Sequence, residues 1–174
     1  MSGWAGKAGP VLGLLAGEGS FPLMVARGAR AEGVRTVVVS MGGVADPAIR
    51  ELSDRYYETG VARLGRWIRI FRNEGVDRVV MAGRVRKTQA HSEARWRLWV
   101  RYWPDWTSVK VWYFHSRDKR NDTLLSAVAE ALGRKGLPVI DSTRYCGQAM
   151  APAGVLTRRG PSASQEREIG RAHV

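Results

Sequence analysis

Val11-Leu12-Gly13-Leu14-Leu15, followed by Gly17-Glu18-Gly19-Ser20 and then by an amphipathic stretch from Phe21 to about Ala31, decides how the chain is read. A short apolar run that breaks at glycines and gives way to helical periodicity predicts strand, turn and helix, the opening unit of a parallel sheet. Gly33 is placed to stop the helix. The pattern then repeats outward. Val34 to Val39 predicts a valine-rich second strand closed by Met41-Gly42-Gly43, and Asp46-Pro47 opens a short helix near Ile49 to Leu52. Arg55 to Glu58 is a weaker strand candidate. Leu64, Trp67, Ile68 and Phe71 have the i, i+3, i+4, i+7 spacing of a helix with one buried face, and Gly75 is placed to end it. Val76 to Ala82 returns as a strand ending in Gly83. Asp122 can cap a further helix carrying Leu125, Val128, Ala129 and Leu132 on one face, with Gly133 and Gly136 after it and Leu137 to Ile140 as the next strand.

Strands near residues 11, 34, 76 and 137, separated by helices, predict an α/β fold: a Rossmann-like open, mostly parallel sheet with helices on both faces. Such sheets bind ligands where strand C-termini meet helix N-termini. That rule selects Gly17 to Ser20, Gly83 to Val85 and the neighbourhood of Asp122.

Composition sets the outer bounds. The 174 residues are 44% hydrophobic and 25% charged, values of a folded domain that exclude disorder throughout. The longest apolar runs, Val11 to Ala16 and Val79 to Ala82, are far short of the roughly 20 residues of a bilayer span. No cleavage-like site follows the first of them, so a cytoplasmic location is expected. The lone cysteine, Cys146, excludes an internal disulfide and a cysteine-based zinc site, and is read as a small packed side chain. The net charge of +12 predicts attraction to polyanions: nucleic acid, an anionic lipid surface or phosphorylated substrates. Arg84 to Arg120 holds ten basic residues against Glu93, Asp105 and Asp118, and so carries +7 of that charge.

Residues 88–118 fit no βα unit and read as a Trp/Arg-rich helical insert. Trp96, Trp99 and Trp103 lie at i, i+3 and i+7, Pro104-Asp105 starts a second helix, and Trp106, Trp112, Tyr102, Tyr113 and Phe114 are interleaved with arginines. Three uses remain open: packing on the domain or a dimer partner, contact with a membrane surface or acyl chain, and stacking on single-stranded nucleic acid. His91 and His115 lack metal-ligand spacing and read as surface or packing residues.

Gly17-x-Gly19 after a strand lets backbone N–H groups approach a phosphate at a helix N-terminus, although the same residues could form a plain tight turn. A nicotinamide fingerprint would need glycine where the chain has Pro22 and an acid where the second strand ends in Ser40, so that class is disfavoured. The Walker pattern is absent, which disfavours P-loop hydrolysis of nucleoside triphosphates. Asp118-Lys119-Arg120-Asn121-Asp122-Thr123 could hold a diphosphate through Lys119 or Arg120, could hold magnesium through a carboxylate, or could be a solvated loop with Asp122 as a cap.

Taken in order, Gly13-Leu14-Leu15-Ala16-Gly17-Glu18-Gly19-Ser20-Phe21-Pro22, Asp46-Pro47, Leu64-Gly65, Val79-Val80-Met81-Ala82-Gly83-Arg84-Val85, Asn121-Asp122-Thr123-Leu124-Leu125 and Ala151-Pro152-Ala153-Gly154-Val155-Leu156-Thr157 resemble the LpxI-type UDP-2,3-diacylglucosamine pyrophosphatases. The resemblance covers about residues 11–168 and departs from the family where a second acid often stands beside Asp122 and this chain has Asn121. It implies hydrolysis of UDP-2,3-diacylglucosamine to UMP and 2,3-diacylglucosamine 1-phosphate in lipid A synthesis, with attack at the β-phosphorus and with Mg2+ or another divalent cation. It also implies a homodimer at full length, peripheral contact with the inner membrane surface, and no specific nucleic acid partner. Substrate binding is then expected at Gly17, Gly19, Ser20, Gly83, Arg84, Val85, Lys119, Asp122 and Thr123, with no catalytic or metal-binding residue assigned.

The implied organisation is an extension over 1–10, the Rossmann-like domain over 11–144, and a linker with the start of a truncated C-terminal domain over 145–168. Residues 169–174 back-translate to ATC GGA AGA GCA CAC GTC, which resembles a sequencing adapter, and are expected to be a non-coding tail. With the catalytic carboxylates placed by the resemblance in a second domain, the N-terminal part is expected to be inactive alone. The rival reading is a basic aromatic nucleic-acid-binding module, or another nucleotide-binding module.

Overall fold

The computed structural model describes residues 9–61, 63–84, 121–147, 160 and 162–165. Residues 1–8 of the expected extension, the insert over 88–118 and the tail over 169–174 lie outside the described residues, as does most of the linker. Eight elements follow in order: β1 (Val11–Ala16), α1 (Phe21–Ala31), β2 (Arg35–Met41), α2 (Ile49–Leu52), β3 (Arg55–Thr59), α3 (Leu64–Asn73), β4 (Arg78–Ala82) and α4 (Asn121–Gly133).

The sheet is wholly parallel, in the order β3-β2-β1-β4. All six residues of β1 are buried, because it is a central strand with helices on both faces, and such strands read as continuous apolar runs. Their side chains divide by parity. Val11 and Leu15 face a core shared with Leu64, Trp67, Ile68 and Phe71 of α3 and Ala127, Ala131 and Leu132 of α4. Leu12, Leu14 and Ala16 face the other core, with Val25, Ala26 and Ala29 of α1 and Ile49 of α2. A β-carbon on Gly13 would stand 3.0 Å from two Phe71 ring atoms, so the missing side chain in mid-strand lets the ring lie against the sheet. Burying that phenyl ring contributes about 2–3 kcal/mol.

Two strand predictions exchange their weight. Arg55–Thr59 is a full edge strand paired to β2 from Val37↔Arg55 to Met41↔Thr59, although its residues are largely half-buried or exposed. Leu137 to Ile140, expected as a strand, makes only one parallel bridge, Val79↔Val139. There the Val79 N–H donates to the Pro138 carbonyl at 2.8 Å, and the Ile140 N–H donates back to the Val79 carbonyl at 2.9 Å. Pro138 has no N–H of its own, so the ladder cannot extend from this bridge towards the start of the segment.

Side chains outside the apolar pattern fix the sheet ends. Asp77 accepts the Val11 N–H at 2.7 Å and Asp54 accepts the Thr36 N–H at 2.8 Å, satisfying the first amides of β1 and the neighbouring region of β2. At the opposite end the buried Trp67 indole donates to the Thr59 hydroxyl at 2.7 Å, tying α3 to the end of β3. The Tyr57 hydroxyl donates to Glu74, and that bond, with burial, raises the phenol above its usual value of 10.0. A raised phenol pKa means that the neutral form is the one the fold favours. Its contribution is therefore complete below about pH 10 and is lost as pH rises through the raised value. Tyr57→Phe is expected to flatten the alkaline limb of melting temperature against pH, and an unchanged limb would show that Tyr57 does not set it.

Candidate functional site

The strand order places a topological switch between β1 and β4: from β1 the chain winds towards β2 and β3, and α3 then brings it back to β4 on the other side. In open α/β sheets the loops leaving the two strands at such a switch diverge and leave a crevice at their carboxyl ends. Here those loops are Gly17 to Ser20 and Gly83 to Arg84, and instead of diverging at their base they are held together by backbone bonds. The Gly17 N–H donates to the Ala82 carbonyl at 2.8 Å, and Glu18 and Arg84 exchange reciprocal N–H to carbonyl bonds of 2.7 and 2.9 Å as an antiparallel bridge.

This clasp requires the absence of side chains. A β-carbon on Gly17 would stand 2.6 Å from the Arg84 carbonyl oxygen. Gly83 has φ +89, and a β-carbon there would lie 2.8 Å from the Glu18 oxygen and 2.9 Å from the Pro22 ring. Pro22, which stands where a nicotinamide fingerprint has its third glycine, is buried against that turn. The close approach made by a helix glycine in that fingerprint is made here by Gly83, on the loop after β4. Ser40, where the fingerprint has an acid, is fully buried, and its hydroxyl accepts the Ala45 N–H at 3.3 Å to close the loop after β2.

Gly19 (φ +108) and Ser20 are exposed at the start of α1, with open space where a Gly19 side chain would be. Ser20 is the N-cap residue but makes no side-chain capping bond, and its carbonyl accepts the Met24 N–H at 3.1 Å. The turn therefore presents exposed backbone at the positive end of an eleven-residue helix, where an anion is favoured.

Of the expected site residues, Gly17, Gly19, Ser20, Gly83 and Arg84 are thus brought together at the carboxyl ends of β1 and β4. Asp122 and Thr123 lie on the backbone of the first turn of α4; their side chains, with Val85, Lys119 and Asp118, lie outside the described residues. Among the described residues no three His, Cys, Asp or Glu side chains gather into a possible metal site. The described part of the crevice therefore does not fit a divalent cation, whose hard oxygen donors would have to come from elsewhere.

Two features were not read from the sequence. Gly28, within α1, lies so close to the segment after α4 that a β-carbon would stand 1.7 Å from the Tyr145 carbonyl oxygen. Tyr145 and Cys146 are accordingly buried in the α1 core, and burial pushes the Cys146 thiol above its ordinary value, which agrees with a packed side chain. The Glu18 to Arg84 bridge was equally hidden, since the two residues are far apart in the chain and neither is typical of a strand. A glycine in mid-helix was the only available signal for the first, and paired glycines after β1 and β4 for the second.

Fold and site together define an open, doubly wound α/β domain with a backbone clasp at the switch between β1 and β4. Residues 11–149 match the LpxI N-terminal domain, and the chain belongs to the LpxI family. The UDP-2,3-diacylglucosamine pyrophosphatase LpxI of Caulobacter vibrioides is 27% identical over 165 residues, an alignment covering 92% of this chain and 54% of that protein. The chain thus spans about half the length of this relative. Among solved structures, a Rhizobium etli pyruvate carboxylase variant with acetyl coenzyme A is similar at a TM-score of 0.44 and 11% identity, over 76% of this chain and 11% of that one. The biotin carboxylase domain of a single-chain bacterial carboxylase is similar at a TM-score of 0.44 and 11% identity, over 94% and 34%. No helix among the described residues is long and apolar enough to cross a membrane.

Proposed function

We propose that this chain forms the diphosphate-binding half of an enzyme that hydrolyses UDP-2,3-diacylglucosamine to UMP and 2,3-diacylglucosamine 1-phosphate, a step of lipid A synthesis. The observation that carries the reading is the backbone clasp of the Gly17 to Ser20 and Gly83 to Arg84 loops beside the exposed start of α1, in a chain matched to the LpxI N-terminal domain. In this reading the exposed backbone of Gly19 and Ser20 at the start of α1 receives diphosphate oxygens, and the exposed Arg84 stands beside it as a cation. Clasping the loops before substrate arrives reduces the ordering cost of binding. Carboxylate donors for a divalent cation would come from Asp118, Asp122 or the remainder of a full-length protein.

The test is calorimetric titration with a soluble UDP-sugar beside a single-stranded oligonucleotide. UDP-sugar binding without tight, salt-sensitive oligonucleotide binding supports this reading, and the reverse supports a nucleic-acid module. Gly19→Val is expected to weaken UDP-sugar binding about tenfold or more, since a side chain there blocks approach to the backbone and strains a positive φ. A folded variant with unchanged affinity would remove Gly19 from the site. Turnover belongs to a polypeptide of the relative's length, in which UMP release from the acylated UDP-sugar is the direct assay.

A further inference from the structure

The segment that bridges to β4 at Val139 is short, but its direction places the residues that follow it. It lies parallel to β4, on the side away from β1, and so leaves the sheet at the same end as β1 and β4. Asp141 is two residues beyond Val139, as Met81 is beyond Val79, and Met81 is level with Leu15, one residue before the end of β1. Asp141 therefore stands at the carboxyl end of the sheet, one strand position past β4 and about 10 Å, or two strand spacings, from β1. The turn that carries it is tied down from below. Asp141 Oδ1 accepts the Thr143 N–H at 2.8 Å, and this bond, with that of the Thr143 hydroxyl, holds the carboxyl below its usual range. The Cys146 N–H donates to the Thr143 carbonyl at 2.8 Å and its thiol to the Ser142 carbonyl at 3.8 Å, so the turn rests on residues packed in the α1 core. Asp141 itself is exposed, and since a carboxylate has about four acceptor sites it retains room for further donors.

We propose that Asp141 accepts hydroxyl groups of the sugar half of the UDP-sugar and is thereby a specificity-determining residue, an inference that rests on the reading of the diphosphate at the start of α1. Its negative charge excludes the diphosphate as its contact, because like charges repel, and leaves the neutral, hydroxyl-bearing parts of the ligand. Strand order decides between those parts. In open sheets of this order the dinucleotide fold receives a ribose at the end of the second strand, so the nucleoside beside the β1 to α1 turn extends towards β2, and the group beyond the diphosphate crosses to the β4 half. A hexose on that side meets Asp141. Hydroxyl donors to an ionised acceptor form the stronger class of hydrogen bond, and a turn anchored on buried residues presents the acceptor without an ordering cost. The matching acid on the opposite side of β1 is the exposed Asp46 after β2, which accepts the Ala48 N–H at 2.9 Å in the same kind of turn.

The test is calorimetric titration of the 174-residue chain with UDP-N-acetylglucosamine and with the β-methyl ester of UDP, two ligands of equal charge that differ by the sugar. The sugar ligand is expected to bind about tenfold tighter than the ester, and Asp141→Asn to remove most of that preference while ester affinity changes by less than about twofold. Asparagine keeps an oxygen for the Thr143 N–H, so the turn is expected to survive, and melting curves check it. Asp46→Asn removes the same charge from the same kind of turn and is expected to leave the preference unaltered. A preference retained in Asp141→Asn, a loss shared equally by both ligands, or an equal effect of Asp46→Asn would overturn the proposal. Ester binding with no preference for the sugar in the unaltered chain would overturn this proposal alone. Failure of both ligands to bind would overturn the reading of the diphosphate site and this proposal with it.

Discussion

Replacing Gly83 by alanine is expected to destabilise the domain by about 2–4 kcal/mol and to abolish UDP-sugar binding in the fraction that folds. Two costs coincide at this position. A φ of +89 is strained for any residue with a β-carbon, and that carbon would stand within 2.9 Å of atoms of Gly17, Glu18 and Pro22. Neighbours that are backbone and a proline ring cannot rotate away, so relief requires the loop after β4 to withdraw from the loop after β1. Withdrawal would break the Glu18 to Arg84 bridge and leave amides and carbonyls seeking water. Gly19→Ala is the comparison: its φ is also positive, but its side chain would meet open space, so strain is the main cost. Urea denaturation of the two variants checks the contrast. Equal destabilisation would show that backbone strain, and not the clasp, is what Gly83 provides.

The second large effect is expected at Gly28. In an isolated helix Gly28→Ala would be favourable by about 1 kcal/mol, since glycine is the poorer helix former. In this domain the added carbon would sit 1.7 Å from the Tyr145 carbonyl, so the segment over α1 must lift or α1 must move. A net loss of about 2–3 kcal/mol follows if overpacking outweighs propensity. Cys146 supplies a direct readout, because its thiol is buried in the same contact and kept above its ordinary pKa. Alkylation at neutral pH is expected to rise at least about tenfold in Gly28→Ala while helical circular dichroism is largely kept. An unreactive thiol with unchanged stability would mean that the segment does not rest on α1 in solution.

These glycines show where the sequence was readable and where it was not. Gly17, Gly19 and Gly83 announced themselves because each follows an apolar strand, and a local pattern suffices for a local turn. That Gly83 must be glycine because Pro22 and Glu18 press on it is a property of residues some sixty positions apart, which no window contains. Gly28 gave only a weak helix signal, since its cause is a carbonyl more than a hundred residues later. The same division holds for the sheet. β1 and β2 are buried on both faces and so carry continuous apolar runs, whereas the edge strand β3 keeps Arg55 and Glu58 in solvent and gave a faint signal. Leu137 to Ile140 read more strongly than it pairs, because apolar content measures burial and Pro138 limits the hydrogen bonding. Ser40 and Pro22, which depart from the nicotinamide fingerprint in sequence, have packing roles in the structure.

The central claim is that the crevice at the switch between β1 and β4 receives the diphosphate of a UDP-sugar. Its most direct measurement is amide chemical-shift mapping of the 174-residue chain with UDP-N-acetylglucosamine, using uridine as the ligand that lacks phosphate. The predicted result is a saturable set of shifts centred on the amides of Gly17, Glu18, Gly19, Ser20, Gly83 and Arg84, and absent with uridine. Shifts centred elsewhere, shifts equally strong with uridine, or no shifts at millimolar ligand would contradict it.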